Sequence, residues 1–215
     1  MNLLIIGAPG AGKGTMSEKI IDKYDVVHVS TGDMLRAAVK NETPVGLKAQ
    51  EYMNKGALVP DSIIHDIIVE RLKQDDIKKG FLFDGYPRTE AQAIDLDEIL
   101  DELGLKVDAV INLNVDEDIL IKRITGRRSC SSCGKLFNIY FHAPKQEGVC
   151  DECGGELIQR KDDNEESLKT RLSEFHKNTK PVIEHYERKG IVKHLDGTKD
   201  SKEVFGEVDI LLGEL

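Results

Sequence analysis

The sequence predicts an α/β fold: a parallel sheet covered by helices on both faces, with two smaller insertions. Three observations carry this expectation. Residues 3–15, Leu-Leu-Ile-Ile-Gly-Ala-Pro-Gly-Ala-Gly-Lys-Gly-Thr, read as a buried strand, a glycine loop and the start of a helix. Downstream, short apolar runs alternate with segments of helical period, the pattern of strand–helix–strand units. The alternation breaks twice, over residues 30–59 and about 126–163, and the second break holds all four cysteines.

The N-terminal loop is the strongest local signal. Gly7, four residues, then Gly12-Lys13 has the spacing of a phosphate-binding loop. Glycines let backbone N–H groups turn toward an anion. The helix start adds unpaired donors and the positive end of its dipole, and Lys13 adds a full charge. Gly14 follows the lysine where a hydroxyl residue is usual, and the hydroxyl comes at Thr15.

Taken in order, the first helix spans about Gly12 to Tyr24, and Val26–Val29 is the next strand. Ser30-Thr31-Gly32-Asp33 supplies capping residues for a helix through Val39. Pro44 opens another that Lys55-Gly56 ends. Pro60-Asp61 starts a long helix, stopped by Gly80, with Ile63, Ile64, Ile67, Ile68 and Leu72 at core spacing. Phe81–Asp84 is a third strand, and Gly85-Tyr86-Pro87-Arg88 a tight loop. Thr89 with Gln92 has capping-box spacing for the next helix. Val107–Val115 is a strand, and Asp116 opens a helix to Thr125. After the cysteine segment, helical pattern resumes at Asn164, restarts at Pro181, and gives way to a last strand, Ile191–Leu195, and a last helix, Asp200–Leu212. The core is therefore discontinuous: 1–29, 60–125 and 164–215.

At 215 residues the chain can bury one good core. A net charge of −9 argues against a duplex nucleic-acid partner, including a zinc-ribbon one. With no membrane-length apolar run and an N-terminus that begins in a core strand, a cytoplasmic protein is expected, with monomer as the default. Cys130-x2-Cys133, sixteen residues, then Cys150-x2-Cys153 is the spacing of a four-thiolate metal site. Two disulfides or an iron–sulfur cluster are the alternatives. Four thiolates fill a tetrahedral ion, so zinc here would be structural.

The arginines also cluster. Arg36, Arg88, Arg123, Arg127, Arg160 and Arg171 sit in or beside loops and segment ends that such a sheet gathers near the glycine loop. Paired guanidinium contacts suit phosphoryl transfer, which needs positioning and charge neutralisation more than a strong base. Asp84 and Asp33 are candidates to hold Mg²⁺ through water.

Gly7–Thr15, Ser30-Thr-Gly-Asp-Met-Leu-Arg36, Asp84-Gly-Tyr-Pro-Arg88, Gly126-Arg-Arg128 and Arg160-Lys-Asp-Asp163, in this order and spacing over nearly the whole chain, resemble the adenylate kinase family, in its bacterial long form with a zinc-bearing lid. The resemblance implies a P-loop nucleotide kinase core and Mg²⁺-dependent conversion of ATP and AMP to two ADP. It makes 30–59 the AMP-binding insertion and 126–163 the lid over ATP. By the same resemblance Gly10, Ala11, Gly12, Lys13, Gly14 and Thr15 cradle ATP phosphates, with Arg123, Arg127, Leu136, Phe137 and the backbone of Lys199 on the ATP side. Thr31, Arg36, Ala57, Leu58, Val59, Gly85, Tyr86, Pro87, Arg88 and Gln92 hold AMP. Arg160 and Arg171 reach the reacting phosphates and AMP, and Asp162 and Asp163 pair with lid arginines on closure. Leu136-Phe137 departs from the family's frequent hydroxyl residue and tyrosine, which leaves stacking without a hydroxyl. The remaining rivals are a kinase for UMP or CMP and a slow nucleotide-hydrolysing switch.

Overall fold

The computed structural model describes every residue of the chain but Gly56, on which part of the expected end of the second insertion helix falls. Five strands, β1 (Asn2–Gly7), β2 (Val27–Ser30), β3 (Phe81–Asp84), β4 (Ala109–Asn114) and, near the C-terminus, a last strand Val192–Asp196, form one parallel sheet. β1 lies at its centre, between β3 and β4, with all six residues buried. Its register pairs Ile5 with Asp84 on one side and Gly7 with Leu113 on the other.

Alternation along β1 feeds two cores. Leu4 and Ile6 join Phe81, Phe83 and Val110 beneath α4 (Asp61–Leu72) and α5 (Glu90–Glu102). Leu3 and Ile5 join Leu82, Ile111 and Leu113 beneath α1 (Lys13–Tyr24) and the C-terminal helix Ser201–Gly213. A β1 buried on both faces explains why its sequence is a continuous apolar run.

Between β2 and α4 lie α2 (Thr31–Lys40) and α3 (Pro44–Asn54), capped by Ser30 and Thr43. Between α6 (Glu117–Thr125) and α7 (Glu165–Glu174) lies a second, antiparallel sheet in which β5 (Arg127–Cys130) runs between β6 (Leu136–Asn138) and β7 (Leu157–Ile158). These strands are too short to show a period, and no pattern in the sequence announces them.

Two expectations need correcting. The helix begun at Asp61 stops at Leu72, and a separate 3₁₀ turn, Asp75–Lys79, leads to Gly80. The helix expected to start at Pro181 begins at Lys180, as α8 (Lys180–Glu187), but no break precedes it: a π segment, Phe175–Thr179, joins it to α7. A wider turn just ahead of Pro181 accommodates a residue that cannot donate to the preceding turn. With β8 for Val192–Asp196 and α9 for Ser201–Gly213, the element order is complete.

Candidate active site

Because the main strands are parallel, the loops that follow β1, β2, β3, β4 and β8 all leave one edge of the sheet. The glycine loop occupies its middle. Gly12 caps α1 in the left-handed region, φ +99°, where a side chain is strained. Among the described residues no side chain caps this helix, so its first-turn N–H groups are available to a ligand. Lys13 Nζ folds back along the loop and donates to the carbonyl oxygens of Gly7 at 2.8 Å and Ala8 at 3.1 Å. Desolvation pushes the half-buried Lys13 ammonium down to about 8; Asp84 opposes the shift, and Arg88, Arg171 and Arg127 reinforce it.

These groups arrive from separate elements. Arg88 follows β3, and its Nε donates to Gly85 O at 2.7 Å. Gly85, at φ +78°, also accepts at the same oxygen from Thr31 Oγ1 at 2.9 Å, so the loops after β2 and β3 are tied together. A Cβ on Gly85 would stand 3.0 Å from the Arg88 guanidinium. Arg171 comes from α7 and pairs with Asp162 at 3.0 Å. Arg127, at the start of β5, holds the fully buried Asp163 in a two-pronged pair. Arg160 Nε donates to Ser129 Oγ at 3.1 Å. Desolvation, then the neighbouring Arg36 and Arg127, push Arg160 down to about 10; burial pushes Arg171 to about 10 as well, against the pull of Asp162. Both stay charged at neutral pH. A cleft opens among Gly7, Lys13, Leu58, Arg88 and Arg171.

On the far side of the loop, Arg123 donates to Ala11 O at 3.3 Å, and a Cβ on Gly197 of the β8–α9 turn would stand 3.1 Å from the same oxygen. Lys199 lies in that turn, its ammonium drawn off to Glu207 at 2.5 Å. Val59 is buried and Leu58 lines the cleft, with Ala57 between them and α3. Gln92 is buried and bonds the backbone N–H of Arg88.

Two expected residues behave differently from their sequence reading. Phe137 is buried in the second sheet's own small core and stacks on His142, with ring centroids 5.8 Å apart, so it presents no free face to a base. Leu136 is the residue that reaches the glycine loop, near Gly14. Asp33 is engaged by Arg36, whereas the Asp84 carboxylate lies close enough to Lys13 to perturb it. Sequence reasoning missed Thr179, whose hydroxyl donates to Arg88 O at 3.0 Å, and Gln159, which bridges the ends of the second insertion by donating to Asp163 O at 2.7 Å and Thr125 O at 3.3 Å. Neither lies in a recognisable motif.

The four cysteine sulfurs lie within 4.8 Å of one another, and the two measured Sγ–Sγ approaches are 3.5 and 3.7 Å. A disulfide needs about 2.05 Å. Tetrahedral thiolates at about 2.3 Å from zinc stand about 3.8 Å apart. The donor set therefore fits zinc and excludes the disulfide reading. Backbone N–H groups of Cys133 and Ser132 donate to Cys130 Sγ at 3.5 and 3.4 Å, hydrogen bonds that favour the thiolate a metal needs.

The family model for adenylate kinase matches residues 5–191. The chain belongs to the adenylate kinase family. It is 53% identical to an adenylate kinase of Geobacillus sp. (strain WCH70) and 52% identical to one of Bacillus cytotoxicus (strain DSM 22905 / CIP 110041 / 391-98 / NVH 391-98), in each case over 215 residues and the full length of both chains. Among the described residues, no helix is long and apolar enough to cross a membrane.

Proposed function

We propose that this chain, a nucleoside monophosphate kinase by family, transfers the terminal phosphoryl group of ATP to AMP and so keeps adenine nucleotides in balance in the cytoplasm. The observation that carries the reading is the convergence of Lys13, Arg88 and Arg171 from separate elements on one cleft beside the glycine loop, with Arg127 near enough to bear on Lys13 and Arg171, and Arg160 near enough to feel Arg127.

ATP phosphates lie on Gly10–Thr15, with Arg123 and the backbone at Lys199 on the base side. AMP lies under residues 30–59, held by Thr31, Arg36, the backbone of Ala57 to Val59, the Gly85–Arg88 loop and Gln92. An AMP phosphate oxygen attacks the γ-phosphorus, the bond to the β-phosphate bridging oxygen breaks, and ADP leaves on each side. The attacking oxygen is already anionic, so no general base is required. The guanidiniums neutralise the equatorial oxygens, and Lys13 follows the charge as it moves. The lid, residues 126–163, closes over ATP and excludes water as a competing acceptor. Lys135–Glu18 at 3.2 Å and Leu136 against Gly14 join lid to core in a way that supports such closure. Asp84 would hold Mg²⁺, which supplies charge neutralisation on the ATP phosphates. Cys130, Cys133, Cys150 and Cys153 would hold zinc, a structural ion that staples the lid.

The test is ADP formation from Mg-ATP with a panel of nucleoside monophosphates. Turnover with AMP, far above UMP and CMP, is expected. Hydrolysis of ATP that ignores added monophosphate would overturn the reading in favour of a switch.

A further inference from the structure

The side-chain amide of Gln92 is clamped at both ends. Its Oε1 accepts from the backbone N–H of Arg88 at 2.7 Å, and its Nε2 donates to Asp61 Oδ1 at 2.5 Å. A backbone N–H can only donate and a carboxylate can only accept. Turning the amide over would set donor against donor at one end and acceptor against acceptor at the other. Asp61, the first residue of α4, is itself held by Thr89 Oγ1 at 3.4 Å, and Thr89 caps α5. The clamp is therefore built from the starts of two helices that pack against the same core.

We propose that Asp61 is a positioning residue for base selection: it locks the Gln92 amide in one orientation, and that orientation favours an amino-bearing over an oxo-bearing purine at the acceptor site. The proposal rests on the reading that the AMP base lies at Gln92. Among the described residues, the clamped amide keeps one N–H and one oxygen lone pair uncommitted. Adenine offers a 6-amino donor beside the N1 acceptor, which matches that pair. Hypoxanthine has the same shape but offers a 6-oxo acceptor beside an N1–H donor. Serving hypoxanthine in the same pose requires the amide to turn over, and Asp61 opposes this. Gln92 alone is indifferent, because a free amide presents either face.

The measurement is kcat/KM for AMP and for IMP, with saturating Mg-ATP, in wild type, Asp61→Asn, Asp61→Ser and the same changes combined with Gln92→Ala. In the Asp61→Asn variant the new side-chain amide can turn an N–H toward Oε1, which removes one of the two penalties on the reversed Gln92 amide. Its AMP-to-IMP ratio is expected to narrow by about tenfold, with a real gain on IMP. In the Asp61→Ser variant the hydroxyl can donate or accept while still favouring a helix start. That variant is expected to move the ratio in the same direction, and it decides the matter if Asp61→Asn is unstable. On the Gln92→Ala background neither change should move the ratio, since the group being oriented is gone. A ratio within about twofold of wild type in both single variants, with AMP and IMP falling together, would show Asp61 to be a brace only and overturn the proposal. Wild-type enzyme that fails to use AMP would instead overturn the acceptor reading, and the two failures are separable in one data set.

Discussion

At the scale of single residues, the site depends on geometry that charge alone does not supply. Arg88 anchors one guanidinium nitrogen on Gly85 O and keeps the rest of its planar fork for the cleft. A lysine carries the charge without the fork. Arg88→Lys is expected to lower kcat by about tenfold to a thousandfold, the range for losing one preorganised donor set, with little change in melting temperature. Unchanged turnover would remove Arg88 from the reacting phosphates. Lys13 makes a second test. Burial holds its pKa at about 8, and a bound phosphate anion raises it again. Binding ATP above pH 8 must then take up a proton. ATP affinity should be flat below about pH 8 and weaken above it, by no more than about tenfold per pH unit. Calorimetry at pH 8.5 in two buffers of different ionisation heat reads the proton directly, and Lys13→Arg should abolish the uptake. An affinity that is level through pH 9 would contradict it. Lys13 and Arg88 were legible in the sequence because glycines and a proline sit beside them within a few positions. Thr179 and Ser129 were not, since each acts on a partner far along the chain and a lone hydroxyl carries no local signature.

At the scale of elements, caps and apolar runs fixed most boundaries. Thr89 does cap α5, accepting from the N–H of Gln92 at 3.1 Å. The second half of the expected capping box is absent, because the Gln92 side chain turns to Arg88 and Asp61 instead of back to Thr89. A local rule gave way there to a tertiary use of the same residue. The junction of α2 and α3 holds another feature that spacing does not reveal. A Cβ on Gly46 would come within 2.2 Å of the Ala38 carbonyl and 2.5 Å of Val39 N, all backbone atoms that cannot swing aside. Gly46 therefore sets how closely the two helices of the first insertion approach. Gly46→Ala is expected to cost about 1–3 kcal/mol through overpacking, even though alanine is the better helix former. The displaced pair should raise KM for AMP more than KM for ATP, because only the proposed AMP site includes this insertion. Equal rises in both constants would mean that this insertion does not serve the monophosphate alone.

At the scale of the whole molecule, the contrast between core and lid decides how stability is distributed. The sheet domain buries aliphatic and aromatic side chains on both faces of β1, and that content was visible as runs of Leu, Ile, Val and Phe. The buried cluster of the proposed lid, residues 126–163, is Phe137, Leu157, Cys130 and Cys150, so half of it consists of candidate metal ligands. Such a segment cannot offset the entropy of ordering its loops by apolar burial alone. The cysteine spacing foretold that the four sulfurs would gather in one place. The lid's three strands and its contacts with the core depend on partners as distant as Lys135 and Glu18, which no local pattern joins. Zinc held by the four thiolates would therefore contribute folding free energy to the proposed lid in particular. Chelation is expected to lower the melting temperature and to make residues 126–163 the first site of proteolysis, while the helical signal of the core persists. Well below its own melting point the stripped protein should still turn over, because a lid that is still folded keeps Arg127 and Arg160 in place, Lys13, Arg88 and Arg171 stand outside the stapled segment, and four thiolates leave the ion no open position for substrate. Cys133→Ser should reproduce both effects without a chelator. If stripped protein with an intact lid, judged by its resistance to proteolysis, lost all activity, the ion would have a part in the chemistry and a purely structural role would be wrong.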